Sequence, residues 1–378
     1  MKVAILTLPL WNNYGGILQC WALCRKLEEC GHEVTLLNFH HKPPSTYEES
    51  IRRIKKQIKK LVSGSNGVVY PNRLQKERIS RNTLDFIKNN FSKVSPEFHS
   101  SAELSRYLRN EKINSVVVGS DQVWRPSYTP NIYTYFLDFV PNGVKKIAYA
   151  ASFGTDKGLY SDKMISECKK LIDLFDLVTV RETSGQALVE NMFAKTTNVV
   201  VDPTLLHEKS VYIDVAYEVP CSNKGNIFCY VLDRTAEISE LIYDTEKKLG
   251  RESFEVMPKS FDENFSVSDH DYVFPGIELW IAAFRDADYI ITDSFHGCVF
   301  SIIFNKPFVA IGNLERGISR FESLLQQFNL ADRLVTSRIE CLSNILTRTI
   351  DWKSVNQIRD ELYSKSMDSL IAGLKIER

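Results

Sequence analysis

Five short segments of the chain put polar side chains or glycines where a hydrophobic run ends, the place where an α/β protein meets its ligand. The most informative is Thr292-Asp293-Ser294-Phe295-His296-Gly297, after the apolar Tyr289-Ile290-Ile291. A histidine in the first turn of the next helix sits among amides able to bind an anion, and its imidazole can give or take a proton beside that anion. Asp293 or Ser294 as a cap with a hydrogen-bonded His296 would use the same residues structurally. The second segment is Asn12-Asn13-Tyr14-Gly15-Gly16, whose glycines let backbone amides approach an anion or simply make a tight strand–helix turn. It lacks the Gly-x-Gly-x-x-Gly spacing of a dinucleotide site.

The third segment is Val118-Gly119-Ser120-Asp121-Gln122-Val123-Trp124-Arg125. Asp121 can accept a proton or hold sugar hydroxyls and Trp124 can stack on a sugar ring, or they can be a cap and a core residue. In the fourth, Val180-Arg181-Glu182, the planar fork of Arg181 suits a carboxylate or phosphate, or an internal pair with Glu182. In the fifth, Arg316-Gly317-Ile318-Ser319-Arg320, two arginines flank a glycine at a helix start, an anion clamp or a solvated helix end.

Elements that position these segments follow from the hydrophobic pattern. Lys2–Leu8 is expected as a buried strand, the Ile17, Leu18, Trp21, Ala22 and Leu27 spacing as a helix ending at Gly31, and Glu33–Phe39 as a second strand, together a right-handed βαβ unit. Strands are predicted at Ser115–Val118, Ile147–Ala151, Leu177–Val180 and Asn198–Val201, with helices at Lys163–Phe175 and Glu182–Met192. The pattern weakens over Leu206–Gly225, read as a linker. It resumes with strand Ile227–Leu232, helix Glu237–Leu249, strand Ser253–Val256, helix Ile277–Ala287, strand Tyr289–Thr292, helix His296–Phe304 and strand Pro307–Ile311. The expected fold class is α/β, two Rossmann-like domains facing a cleft. Residues 1–210 form the first, residues 211–350 the second, and residues 351–378 a C-terminal helix that packs back on the first.

Composition sets outer limits. The 378 residues carry 47 Lys plus Arg against 47 Asp plus Glu, so a surface built throughout for nucleic acid is excluded. No stretch approaches the roughly 18 apolar residues of a membrane span. The short apolar start, interrupted by Pro9, predicts no signal peptide, and eight cysteines without a C-x-x-C pair predict reduced thiols and a cytoplasmic protein. The scattered histidines predict no metal site; His40 and His41 would point to opposite faces of a strand. One segment departs from this even balance. Ile51, Ile54, Ile58 and Leu61 share a helix face, and six cationic residues fill the rest of 51–62. That helix suits peripheral contact with an anionic membrane, or docking on the first domain with a solvated basic face. Ser63-Gly64-Ser65-Asn66-Gly67 after it is expected as a mobile loop.

Taken in order, Asn13-Tyr14-Gly15-Gly16 with Leu18-Gln19, Gly119-Ser120-Asp121-Gln122-Val123-Trp124, Val180-Arg181-Glu182, Val201-Asp202-Pro203-Thr204, Thr292-Asp293-Ser294-Phe295-His296-Gly297, Phe300-Ser301, Asn305-Lys306-Pro307-Phe308 and Ser319-Arg320 resemble the polysaccharide pyruvyl transferase family over roughly residues 1–330. The resemblance implies a GT-B-like pair of domains and transfer of a pyruvyl group from phosphoenolpyruvate to a hexose of a saccharide, with a cyclic ketal formed and phosphate released. It needs no cofactor beyond phosphoenolpyruvate as co-substrate. The first domain would be the acceptor side and the second the phosphoenolpyruvate side. The family histidine falls on His296 and a donor-binding arginine on Arg181. Where some members carry Arg-Leu-His this chain has Ser294-Phe295-His296, so Arg316, Arg320 and Lys306, with Ser294, are the donor-binding candidates beside Arg181.

His296 is then expected as the general acid or the group assisting phosphate departure, and Asp121 as a base or acceptor ligand. Asn13, Tyr14, Gly15, Gly16, Asp121 and Trp124 are the expected acceptor contacts. The acceptor is expected to be lipid-linked, with residues 51–62 at the inner membrane face. Two other functions fit the same fold: a nucleotide-sugar glycosyltransferase of GT-B type and a non-catalytic saccharide-binding protein.

Overall fold

The structure is a computed structural model that describes residues 1–42, 73–157, 159–220, 224–259, 270–312, 317–336 and 342–375. The first domain contains β1 (Lys2–Leu6), α1 (Tyr14–Glu29), β2 (Glu33–Phe39), α2 (Arg73–Ile79), α3 (Arg81–Asn90), β3 (Val94–Phe98), α4 (Ser101–Glu111), β4 (Ser115–Val118), α5 (Ile132–Tyr135), β5 (Lys145–Ala151), α6 (Asp162–Ile172), β6 (Leu177–Val180), α7 (Thr183–Phe193) and β7 (Asn198–Val199). A 3-10 turn (Pro203–Leu206) and α8 (Lys209–Val215) lead to β8 (Ile227–Tyr230), α9 (Ala236–Leu249), β9 (Ser253–Phe254), α10 (Ile277–Asp286), β10 (Tyr289–Thr292), α11 (Phe295–Ile303), β11 (Phe308–Ile311), α12 (Ser319–Gln327), β12 (Leu334–Val335), α13 (Leu342–Thr347) and α14 (Trp352–Lys375).

Two parallel sheets result, of order β3-β2-β1-β4-β5-β6-β7 and β12-β11-β10-β8-β9. Their central strands are short apolar runs buried on both faces, as parallel strands covered by helices must be. Strand order reverses between β1 and β4 in the first sheet and between β8 and β10 in the second. Each reversal opens a crevice at the carboxyl ends of two strands, because the following chains diverge to opposite faces. The motifs at Asn13–Gly16 and Gly119–Asp121 therefore border the first crevice, and Asp293–His296 the second. Asp293 spans that second crevice, its carboxylate accepting the amides of Leu232 and Asp233 at 2.7 and 2.8 Å.

The hydrophobic core runs from one domain into the other. Tyr14 of α1 stacks on Trp280 of α10 at 5.6 Å, Trp280 meets Phe300 of α11 at 4.8 Å, and Phe300 meets Tyr212 of α8 at 5.0 Å. The segment expected as a linker, Leu206–Gly225, contains a packed helix instead. Tyr212 is fully buried and its hydroxyl donates to Thr204 O at 2.7 Å, so the four apolar positions Val211, Tyr212, Ile213 and Val215 of a short helix escaped the periodicity. β3 was not expected because Pro96 breaks its pattern; it is an edge strand, where a proline is tolerated. Helix α14 lies on the first domain. Ser366 Oγ accepts Val201 N at 3.1 Å, Arg359 pairs with Glu208 at 2.9 Å, and Gly373 permits the backbone to touch Leu177.

Candidate active site

The site is built where helix starts from both domains converge. Asn13 caps α1 by accepting Gly16 N at 3.0 Å, and Ser294 caps α11 by accepting Gly297 N at 3.4 Å. His296, in the first turn of α11, lies against the first turn of α1. A Cβ on Gly15 would stand 2.1 Å from its Nδ1 and 2.3 Å from its Cγ. Gly15 is thus a glycine because an imidazole from the other domain occupies the space of its side chain. Gly15→Ala is expected to cut turnover about a hundredfold by displacing the ring. Alanine favours a helix over glycine by up to about 1 kcal/mol, so α1 itself is not weakened. Steady-state kinetics with a thermal melt separates the two effects, and wild-type turnover would contradict the contact's importance.

Behind His296 lies a buried ionic network. Asp202, cap of the 3-10 turn after β7, directs Oδ1 to Thr204 N and Oγ1 at 3.0 and 2.7 Å. Its Oδ2 accepts from Arg181 Nη1 at 2.9 Å and Ser120 Oγ at 3.0 Å, and stands 3.4 Å from His296 Nε2. The last contact is at ion-pair range without hydrogen-bond alignment. Burial alone would raise the Asp202 carboxyl, but His296 and Arg181 together with the Thr204 bond hold it well below the usual carboxylate range. Nε2 is the ring nitrogen that faces this carboxylate, and Nδ1 is the one that lies against Gly15.

Arg181 follows β6, and its guanidinium lies under the Phe295 ring, 4.1 Å from the centroid. Burial opposes its charge, yet Asp202, Glu182 and Asp121 raise it. Its Nε is 3.7 Å from Glu182 Oε2, while Nε and Nη2 are buried without a hydrogen-bond acceptor among the described residues. Glu182 is itself held, its Oε1 accepting Ser152 Oγ at 2.7 Å. Arg320, one residue into α12, is buried nearby; burial first and the Arg181 charge second push its guanidinium down to about 10. The α7 and α12 starts are joined by Thr183 N to Ser323 Oγ at 3.1 Å and Ser184 Oγ to Ser319 Oγ at 3.3 Å. The two guanidiniums lie beside converging helix starts, where Glu182 and Asp121 offset part of their mutual repulsion.

Asp121 adopts φ of 77°, a left-handed conformation that aspartate tolerates better than most side chains. Its Oδ1 accepts Gln122 N at 2.8 Å, and Oδ2 would be 3.3 Å from a Cβ on Gly16. It borders an open cavity of about 530 Å³, also lined by Asn13, Gly16, Trp11 and Tyr128. The ordered motifs thus meet around one cleft, and a family model for polysaccharide pyruvyl transferase matches residues 13–315. The chain belongs to the polysaccharide pyruvyl transferase family. No curated protein sequence matches it.

This family member shares its fold with nucleotide-sugar enzymes. Arabidopsis thaliana UGT89C1 complexed with UDP-L-rhamnose has a TM-score of 0.53 at 9% identity, with 99% of each chain covered. The UDP-GlcNAc 2-epimerase of Methanocaldococcus jannaschii has a TM-score of 0.52 at 13% identity, covering 94% of this chain and 95% of that one. The fold is accordingly a GT-B-like pair of Rossmann-like domains, and these likenesses carry the fold alone.

The structure gathers His296, Arg181, Arg320, Asp121, Gly15, Gly16 and Asn13 of the polysaccharide pyruvyl transferase motifs around the cleft, and it moves other expected contacts elsewhere. Trp124 is wholly buried, stacked on Phe136 at 5.1 Å with its indole N–H on Tyr135 O at 3.1 Å, and offers no face to a sugar. Tyr14 is buried on Trp280 with its hydroxyl donating to Pro275 O at 2.9 Å, so it joins the domains rather than meeting an acceptor. Lys306 lies past the C-terminus of the nine-residue α11, about 10 Å of helix beyond His296, at the wrong end of the sheet for donor binding. Ser294 spends its hydroxyl on the helix cap. Arg316, the basic segment 51–62 and the loop Ser63–Gly67 lie outside the described residues.

Asp202 and Ser120 stand in the family motifs with no role legible from the sequence, whereas the internal Arg181–Glu182 pair open to the sequence is present at 3.7 Å. An Asp-Pro pair directly after a strand was the available signal, since only a partner from a distant segment makes such a carboxylate functional. Among the described residues no group of three or more His, Cys, Asp or Glu is placed to hold a metal ion, and no helix is long and apolar enough to cross a membrane.

Proposed function

We propose that this protein transfers the pyruvyl group of phosphoenolpyruvate to a hexose of a saccharide, forming a cyclic ketal and releasing phosphate, in the biosynthesis of a surface or capsular polysaccharide. The acceptor is lipid-linked and met at the cytoplasmic face of the membrane. The observation that carries this reading is the buried Arg181, with donor groups still unmatched, beside Arg320 and the His296–Asp202 pair. A small dianion or trianion with a protonatable carbon fits that set of groups better than a neutral ligand does.

In this reading Arg181, Arg320 and the helix-start amides hold the carboxylate and phosphate. His296 Nδ1 gives its proton to the methylene carbon, and an acceptor hydroxyl adds to the adjacent carbon. The hydroxyl's proton is taken up by His296, directly or by way of Asp121, which restores the imidazolium. The C–O bond to phosphate then breaks, a second hydroxyl closes the ketal, and its proton leaves with the phosphate. One hydroxyl hydrogen thus ends in the new methyl group and the other on phosphate. Asp202 keeps the imidazolium oriented and compensated throughout.

Two measurements test this reading. Phosphate release from phosphoenolpyruvate should require a saccharide acceptor, and a nucleotide sugar should be left intact. Consumption of the nucleotide sugar instead would replace the reading with glycosyl transfer, and acceptor binding with no turnover of either would make the protein a saccharide binder. Because an anion relieves the Arg181–Arg320 repulsion, phosphoenolpyruvate at a hundredfold excess over its Kd is expected to add about 2.7 kcal/mol of stability, read as a raised Tm. An unchanged Tm at millimolar phosphoenolpyruvate would contradict the donor site.

A further inference from the structure

The open cavity beside Asp121 and Gly16 also has several basic side chains in its lining. Trp11, Asn13, Lys76, Arg73, His40 and Tyr128 line it, and a second cavity of about 270 Å³ adjoins it at Trp11, His40 and Arg73. The arginine and the lysine that α2 lends to this lining are not equivalent. Arg73 is fully committed, its Nη1 and Nη2 forking onto Glu97 at 3.0 and 2.7 Å and its Nε on Glu77 at 3.1 Å. Lys76, one helical turn on, is half-buried with its ammonium 4.6 Å from the Trp11 ring centroid, and none of the described residues gives it a carboxylate. Burial lowers its pKa, the mark of a cation that has lost water without gaining an anion. Glu97 in the same lining and Glu77 on the same helix are taken up by Arg73.

We propose that this cavity receives the acceptor and selects one bearing an anionic group, a phosphate or a carboxylate, which Lys76 pairs with while Trp11 and Tyr128 border the sugar. The proposal deepens the acceptor half of the reading above and rests on its claim that the ligand is a saccharide. Its geometry is self-consistent: Asp121 and Lys76 line the same cavity, and Asp121 stands beside Gly16, next to the Gly15 that carries the His296 contact. A neutral sugar would leave the Lys76 ammonium partly desolvated and unpaired, whereas an anionic one gains a charge-assisted hydrogen bond.

The test is binding of sugars to the full chain without phosphoenolpyruvate, using methyl glucoside, glucose 1-phosphate and glucuronic acid as probes, followed by titration calorimetry or ligand-observed NMR. At least one charged sugar should bind about tenfold more tightly than the neutral one, a difference of about 1.4 kcal/mol, with the preference shrinking as salt rises. Preference for the phosphate or for the uronate identifies which anion the acceptor carries. Lys76→Gln should abolish the preference and Lys76→Arg should keep it, while the rise in Tm given by phosphoenolpyruvate stays unchanged in both. Equal binding of neutral and charged sugars, or a preference that survives in Lys76→Gln, would overturn the proposal. Charged-sugar binding in a protein that never turns over phosphoenolpyruvate would sink the transferase reading and leave this one standing.

Discussion

Replacing Asp202 with asparagine is expected to cost about 3–5 kcal/mol of unfolding free energy, the penalty for stranding a buried charge. Asparagine is nearly isosteric and still accepts from Thr204, so packing is kept and the charge alone is lost. Arg181 would then lie wholly buried with Glu182 at 3.7 Å as its remaining close acid, and His296 would face an uncharged amide. A urea denaturation series measures the change. A loss under about 1 kcal/mol would show that the network is not electrostatically coupled. The sign of the pH dependence follows from the same pair. The folded Asp202 carboxyl is depressed, so its contribution is complete above the unfolded value near 4 and is lost as pH falls below it. Wild type should therefore lose stability on acidification below about pH 4 more steeply than Asp202→Asn.

The second large effect is on chemistry. His296→Ala should retain the fold and lower kcat about 10²–10⁴-fold, the usual worth of a positioned acid–base group. Its ring contributes little to the core of its own domain, because it projects from the first turn of α11 onto Gly15. Phosphoenolpyruvate affinity should change far less, since Arg181, Arg320 and the helix starts remain. A kcat loss with near-constant affinity separates proton transfer from binding. Near-normal turnover by the folded variant would remove His296 from the mechanism.

Much of this was legible in the residues, for reasons that also explain what was not. Short apolar runs ending in glycine or polar residues report parallel strands and their ligand-facing ends directly, which is why β1, β4, β6 and β10 and the motifs after them were placed correctly. Composition at a strand end does not report which way a side chain turns. Trp124 and Tyr14 stand in motifs next to the cleft, yet each found better burial in an aromatic cluster. Lys306 is near Arg320 in order but separated from it by β11, which carries the chain from one end of the sheet to the other. Asp202 was invisible as a functional group because its partners come from Ser120, Arg181 and His296, residues 82, 21 and 94 positions away. Its role exists only once two domains are brought together.

The most direct test of the central claim is mass spectrometry of a defined saccharide after incubation with the protein and phosphoenolpyruvate. A cyclic pyruvate ketal on the saccharide, formed in equal amount with free phosphate and absent with His296→Ala, is the expected result. An unmodified saccharide with phosphoenolpyruvate intact, from a folded protein supplied with both neutral and anionic acceptors, would contradict it.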